Sequence, residues 1–117
     1  MKVGEINTPA LLVDSKTLAK NIACMTKVRP EASLRPHVKA FKSSVLAKEL
    51  MAAGHKNFCC ATIREIEGMV AAGLDNDLLL ANQVVDATRL GALMKKKSTR
   101  ITVAVDSEET IQAAKRG

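Results

Sequence analysis

Residues 34–42 read Leu34-Arg35-Pro36-His37-Val38-Lys39-Ala40-Phe41-Lys42. In an extended chain successive side chains point to opposite faces. Leu34, Pro36, Val38 and Ala40 then share one face, and Arg35, His37, Lys39 and Phe41 the other. The first face is apolar and suits a core. The second carries three groups that can be cationic, which is costly to bury unless an anion or a cofactor meets them. The stretch is expected to be a short strand with one structural and one chemical face.

The pattern repeats on both sides of it. Upstream, Thr8–Asp14 is expected to be a first short strand, with Pro9 near its start where a missing donor is tolerated. Ser15 can cap a helix through about Lys27, whose stripe is Leu18, Ile22 and Met25. Pro30 ends it. Downstream, a helix is expected from about Ser44 to Ala53, with Val45, Leu46, Leu50 and Met51 inward and Gly54 stopping it. Strand Asn57–Ala61 follows. Thr62 with Glu65 makes a capping box for the next helix, lined by Ile66, Met69 and Val70 and ended by Gly73. Strand Asp77–Ala81, a helix from about Val85 to Lys96, strand Arg100–Val105 and a last helix from Glu108, capped by Ser107, complete the series. Gly91 inside the fourth of these helices lowers its propensity.

Strands starting near residues 34, 57, 77 and 100 lie about 20 residues apart, the spacing of βα units on a parallel sheet. Leu78–Ala81 and Ile101–Val105 show little polar alternation, as in strands covered on both faces. The fold class is α/β. A doubly wound sheet and half of a (β/α)8 barrel both fit the repeat. No GxGxxG or GxxxxGK loop follows a strand, so the pattern gives a nucleotide-binding fold little support. Residues 110–117 read as the beginning or middle of a helix. The chain is therefore expected to be a fragment of a longer one, to assemble with further copies, or to close its sheet differently.

The chain has 117 residues, 18 basic and 12 acidic, for a net charge of +6. Two Phe and no Tyr or Trp leave few platforms for base stacking. The densest basic group, Lys95-Lys96-Lys97 with Arg100, reads as a helix end that complements the dipole. No nucleic-acid partner is expected. No early apolar run suits a secretory signal, and none is long enough to span a membrane. Three cysteines, Cys24, Cys59 and Cys60, make no disulfide framework and are expected to be buried free thiols. A cytoplasmic setting fits them. No metal-ligand pattern is present.

Lys39 is the candidate nucleophile. A lysine at a barrel mouth can form a Schiff base with an aldehyde cofactor, helped by burial and neighbouring cations such as Arg35 and Lys42. The alternative is a lysine snorkelling at a strand end. His37, two residues earlier on the same face, can donate a hydrogen bond or relay a proton. Thr62 and Glu65 serve as a cap or as pocket residues. Asn82, Gln83, Asp106 and Ser107 follow strand C-termini, where barrels place their sites. His55 falls in a loop at the opposite end and is not expected to act.

Thr8–Asp14, Asn21-Ile22 with Met25, and Leu34–Lys39 together resemble the opening of the D-threonine aldolase and D-serine dehydratase family. That family belongs to the alanine-racemase-like, fold-type III pyridoxal-phosphate enzymes. The likeness continues through Cys60-Ala61-Thr62, Glu65, Leu79–Asn82 and Val103–Ser107. It implies a partial TIM-type (β/α)8 barrel of about four βα units over residues 15–117. Residues 1–14 would belong to a second, mostly β domain. It implies Lys39 as the lysine that carries the cofactor, with His37, Arg35, Thr62 and Asn82 near it. It further implies a D-amino acid substrate, a homodimer in the full-length form, and in some members a divalent metal held by residues beyond Gly117. Where the family often reads Lys-Thr-His-Lys, this chain has Lys39-Ala40-Phe41-Lys42. The expected reaction is retro-aldol cleavage of a D-3-hydroxy amino acid or dehydration of D-serine. A racemase, and a non-catalytic remnant or cofactor-binding protein, are the alternatives.

Overall fold

The computed structural model describes residues 2–85, 87–95 and 99–117. Its centre is a parallel sheet of three strands, β1 (Asn57–Cys60), β2 (Asp77–Leu80) and β3 (Ile101–Val103), in the order β1-β2-β3. The helices are α1 (Ser15–Val28), α2 (Ser44–Ala52), α3 (Ile63–Ala71), α4 (Thr88–Met94) and α5 (Glu108–Arg116). Each strand is followed by a helix, which is the expected βα repeat in an open sheet, part of a barrel rather than a closed one.

Register explains which side chains meet. Cys59 lies opposite Leu79, and Leu79 opposite Thr102. Residues of the other parity face the helices. Phe58, Cys60, Leu78 and Leu80 are fully buried there against Ile66, Met69, Val70, Leu74 and Leu90. Leu79 and Thr102 lie on the face that no helix covers, and both keep solvent contact.

The helix starts follow from capping chemistry. Ser43 Oγ accepts from Leu46 N–H, Thr62 Oγ1 from Glu65 N–H, and Ser107 Oγ from Thr110 N–H. Glu65 completes a variant of the expected box: its carboxylate takes the N–H of Ala61 at 2.7 Å, one residue before the cap. α1 is capped by Asp14, which accepts from Thr17 N–H, and not by Ser15, which is its first residue. After α2 and α3 the chain turns through Gly54 and Gly73, with φ of 104° and 73°. A side chain at those angles is strained, which is why glycine ends these helices.

Several expectations are corrected. Residues 8–14 form no strand, because no neighbour offers them a ladder. Leu34–Phe41 is not a full strand: one parallel bridge joins His37 to Cys59, and Val38–Ala40 then turns as a 3-10 helix. α4 starts at Thr88 rather than Val85. The expected Lys96-Lys97 helix end, and Asp86 within the expected helix, lie outside the described residues. The inward stripe of α1 is Leu18, Ile22 and Thr26, all half-buried, while Met25 is 46% exposed. Cys24 is exposed and not buried, since α1 packs only along that stripe.

Candidate functional site

The C-terminal ends of the strands form one rim. His37, bridged to Cys59, brings residues 38–42 to that rim beside the end of β1. Val38 is buried and begins the 3-10 turn, so it anchors the segment. Lys39 follows and is exposed. Among the described residues it takes part in no ion pair within the 4 Å that defines one. Its charge is felt at Cys59 on the open sheet face. Burial pushes the Cys59 thiol up from its ordinary value, and Arg35 and Lys39 pull the other way. Cys60, on the helix side, is pushed up to about 12 by burial, with Glu65 and Cys59 adding to it. Its thiol is inert at neutral pH.

His37 is tied to the Lys39 backbone. Its Nδ1 accepts the N–H of Lys39 at 3.3 Å, so the half-buried ring is held against the start of the turn that carries Lys39.

Arg35 points to the same face but to the other end of the sheet. It binds Asp77 through two nitrogens, at 3.0 and 2.9 Å, and reaches the carbonyls of Phe58 and Asp77. The structure does not bring its guanidinium into the rim with Lys39. Thr62 and Asn82 do lie on the rim. The Thr62 hydroxyl oxygen is occupied as the α3 cap, which leaves its proton to donate. Asn82 donates from Nδ2 to Ala61 O at 2.7 Å, tying the end of β1 to the end of β2. Its amide oxygen accepts no hydrogen bond among the described residues. Gln83 is bonded to Asp106 at 2.9 Å, a second tie between neighbouring loops.

A cavity of about 330 Å³ opens beside this rim, between α2 and α3. Lys42, Ser43, Thr62, Arg64 and Glu65 are among its lining residues, and Lys39 is not. Lys42 adopts φ 45°, rare for a residue with a side chain, and its Nζ lies 3.8 Å from Glu65 Oε1.

His55 lies in the expected loop between α2 and β1, and it is fully buried there. Its ring nitrogens lie 3.0 Å from Thr26 Oγ1 and 3.3 Å from Glu31 O. It pins α1 and the turn at residues 31–33 to the start of β1. Nothing local in the sequence marks this, because Thr26 and Glu31 are brought to it only by the fold. Among the described residues no cluster of His, Cys, Asp and Glu is arranged to hold a metal. No helix there is long and apolar enough to cross a membrane.

The geometry defines a class: a partial, open parallel βα barrel with an exposed lysine on a 3-10 turn at the rim beside β1. Residues 13–117 match the family model described as "Alanine racemase, N-terminal domain", and the chain belongs to that alanine-racemase-like, fold-type III family. The D-threonine aldolase of an Arthrobacter species is 30% identical over 112 residues, covering 93% of this chain and 29% of that protein. The D-threo-3-hydroxyaspartate dehydratase of Delftia sp. strain HT23 is 31% identical, covering 92% and 29%. A crystal structure of D-threonine aldolase from Filomicrobium marinum superimposes with a TM-score of 0.85 at 33% identity, covering 97% of this chain and 31% of that one. The chain thus spans under a third of the length of these relatives.

Proposed function

We propose that this chain is the N-terminal barrel segment of a pyridoxal-phosphate-dependent lyase acting on D-3-hydroxy amino acids, with Lys39 as the lysine that carries the cofactor. The observation that supports it most is Lys39 itself: an amine at the sheet's C-terminal rim, without an ion-pair partner among the described residues, held by a turn anchored on Val38 and His37. The relatives named above support the substrate class, since threonine and 3-hydroxyaspartate both carry a hydroxyl on the carbon next to Cα.

The residues present fit the group. Pyridoxal phosphate, when bound, supplies an aldehyde for an amine and a ring that accepts electrons from a bond broken at the substrate. Lys39 Nζ would bind it and, once released, would take or return a proton. His37 would hold the turn that carries the amine. The Asn82 amide oxygen and the Thr62 hydroxyl proton would bind polar groups at the rim. Arg35 would act at one remove, by holding the strands that carry His37 and Cys59. Residues 1–14 would join a second, mostly β domain. A homodimer would be the working form, and a cytoplasmic setting suits the free thiols. A divalent metal would need ligands outside this segment.

Borohydride reduction in the presence of pyridoxal phosphate, followed by peptide mass mapping, tests this reading. The adduct is expected on Lys39 and is expected to vanish in Lys39→Ala. Labelling that survives unchanged in that variant would overturn the assignment.

A further inference from the structure

Two amines lie three residues apart on one turn, and the structure separates them by their surroundings. Lys39 has no carboxylate partner among the described residues, and its charge acts on Cys59 at the open sheet face. Lys42 lines the cavity between α2 and α3, with its Nζ 3.8 Å from Glu65 Oε1. Glu65 is itself well fixed. Its side chain is 11% exposed, and its other oxygen takes the Ala61 N–H at the end of β1. The Lys42 backbone is held in the left-handed region, with its N–H on Val38 O at 2.8 Å. A lysine pays strain to stand there, where glycine would not.

We infer that Glu65 is a positioning residue that selects Lys39 over Lys42 as the aldehyde-reactive amine. The carboxylate holds the Lys42 ammonium at the cavity between α2 and α3, which Lys39 does not line. Lys39 is left as the amine that attacks: its nitrogen bonds to the aldehyde carbon, the carbonyl oxygen leaves as water, and an imine remains. Glu65 acts through Lys42 and touches neither the aldehyde nor Lys39. This inference rests on the proposed role of Lys39 and deepens it by naming what makes that lysine the chosen one.

The test measures where the label goes. The 117-residue chain is incubated with pyridoxal phosphate, reduced with borohydride and digested, and the ratio of Lys39 to Lys42 adducts is read by fragment-ion mass spectrometry. In Glu65→Gln the side chain still accepts the Ala61 N–H but no longer attracts Lys42. The ratio is expected to fall about two- to fivefold, the size of effect an exposed ion pair supports. Lys42→Arg keeps a cation for Glu65 and is expected to leave Lys39 labelling unchanged. Raising the salt concentration on the unaltered chain screens the same pair and is expected to move the ratio in the same direction. That arm holds even where Glu65→Gln does not fold. A ratio unmoved by both the substitution and salt overturns the selection by Glu65 while leaving Lys39 as the carrier. Absence of any Lys39 adduct in the unaltered chain overturns the reading beneath it as well.

Discussion

Arg35 and Asp77 are 42 positions apart in sequence and share two charge-assisted hydrogen bonds, with side chains 29% and 20% exposed. The guanidinium also meets the carbonyls of Phe58 and Asp77, so one side chain stitches residue 35, β1 and β2 together at their N-terminal ends. Arg35→Ala is expected to cost about 1–3 kcal/mol in urea unfolding, because the carboxylate loses its partner. The pair also sets a pH dependence. The hydrogen bond from Arg35 holds the Asp77 carboxyl below its ordinary 3.8, with the charges of Arg35 and Arg100 assisting against the opposing effect of burial. The folded state therefore binds the proton less readily than the unfolded one. Its stabilisation is fully present above about pH 4 and is lost as the pH falls through the lower folded value. Urea midpoints measured downward from pH 5 should fall less steeply in Asp77→Asn than in the unaltered chain. Equal slopes would show that the pair carries no such linkage. The alternation expected over residues 34–41 fails beyond residue 38, where the 3-10 turn leaves Ala40 exposed and packs Phe41 against the core. It said nothing of Asp77, which reaches Arg35 only when two parallel strands align.

Among the elements, α3 was legible almost whole, since its cap, its apolar stripe and its terminal glycine are all local signals. α4 was not. Gly91 reads as a weak spot in a helix, yet residue 117 lies against it: a Cβ built there would overlap the backbone of Gly117, and one on Gly117 would overlap Ala87. The two rules give opposite signs for Gly91→Ala. Helix propensity favours alanine by about 1 kcal/mol. Overpacking at that contact disfavours it by about 1–3 kcal/mol. The neighbour is backbone rather than the end of a flexible side chain, so the thermal midpoint by circular dichroism is expected to drop. A rise would mean that residue 117 does not approach there. α1 shows the converse case: it is amphipathic, but it is fastened largely by the buried His55 to Thr26 bond, which no periodicity in the sequence reveals.

For the whole molecule, the radius of gyration is 16.6 Å, against about 13 Å for a compact domain of this length. The excess fits a chain whose α1 buries no residue fully and whose residues 10–13 are exposed. Leu78 N–H bonds to Arg100 O and Ala104 N–H to Leu80 O, so residues 100 and 104 face β2. By the alternation of a ladder, Ile101 and Val103 turn their own N–H and C=O groups outward, at an open edge. The 117-residue chain alone is expected to self-associate through that edge. A monodisperse monomer by sedimentation would sink that expectation. What the sequence by itself determined is the βα rhythm, the caps of α3 and α5, the glycine stops after α2 and α3, and the apolar stripe of α3. Each of these rests on interactions within a few residues or on a repeating period. Only the tertiary structure decided that Arg35 serves Asp77, that His55 is a buried fastening, that Lys39 leaves the strand on a 3-10 turn, and that Lys42 and Lys39 meet different surroundings. Those outcomes depend on partners 22 to 42 positions away, and a one-dimensional pattern holds no record of which distant group will arrive.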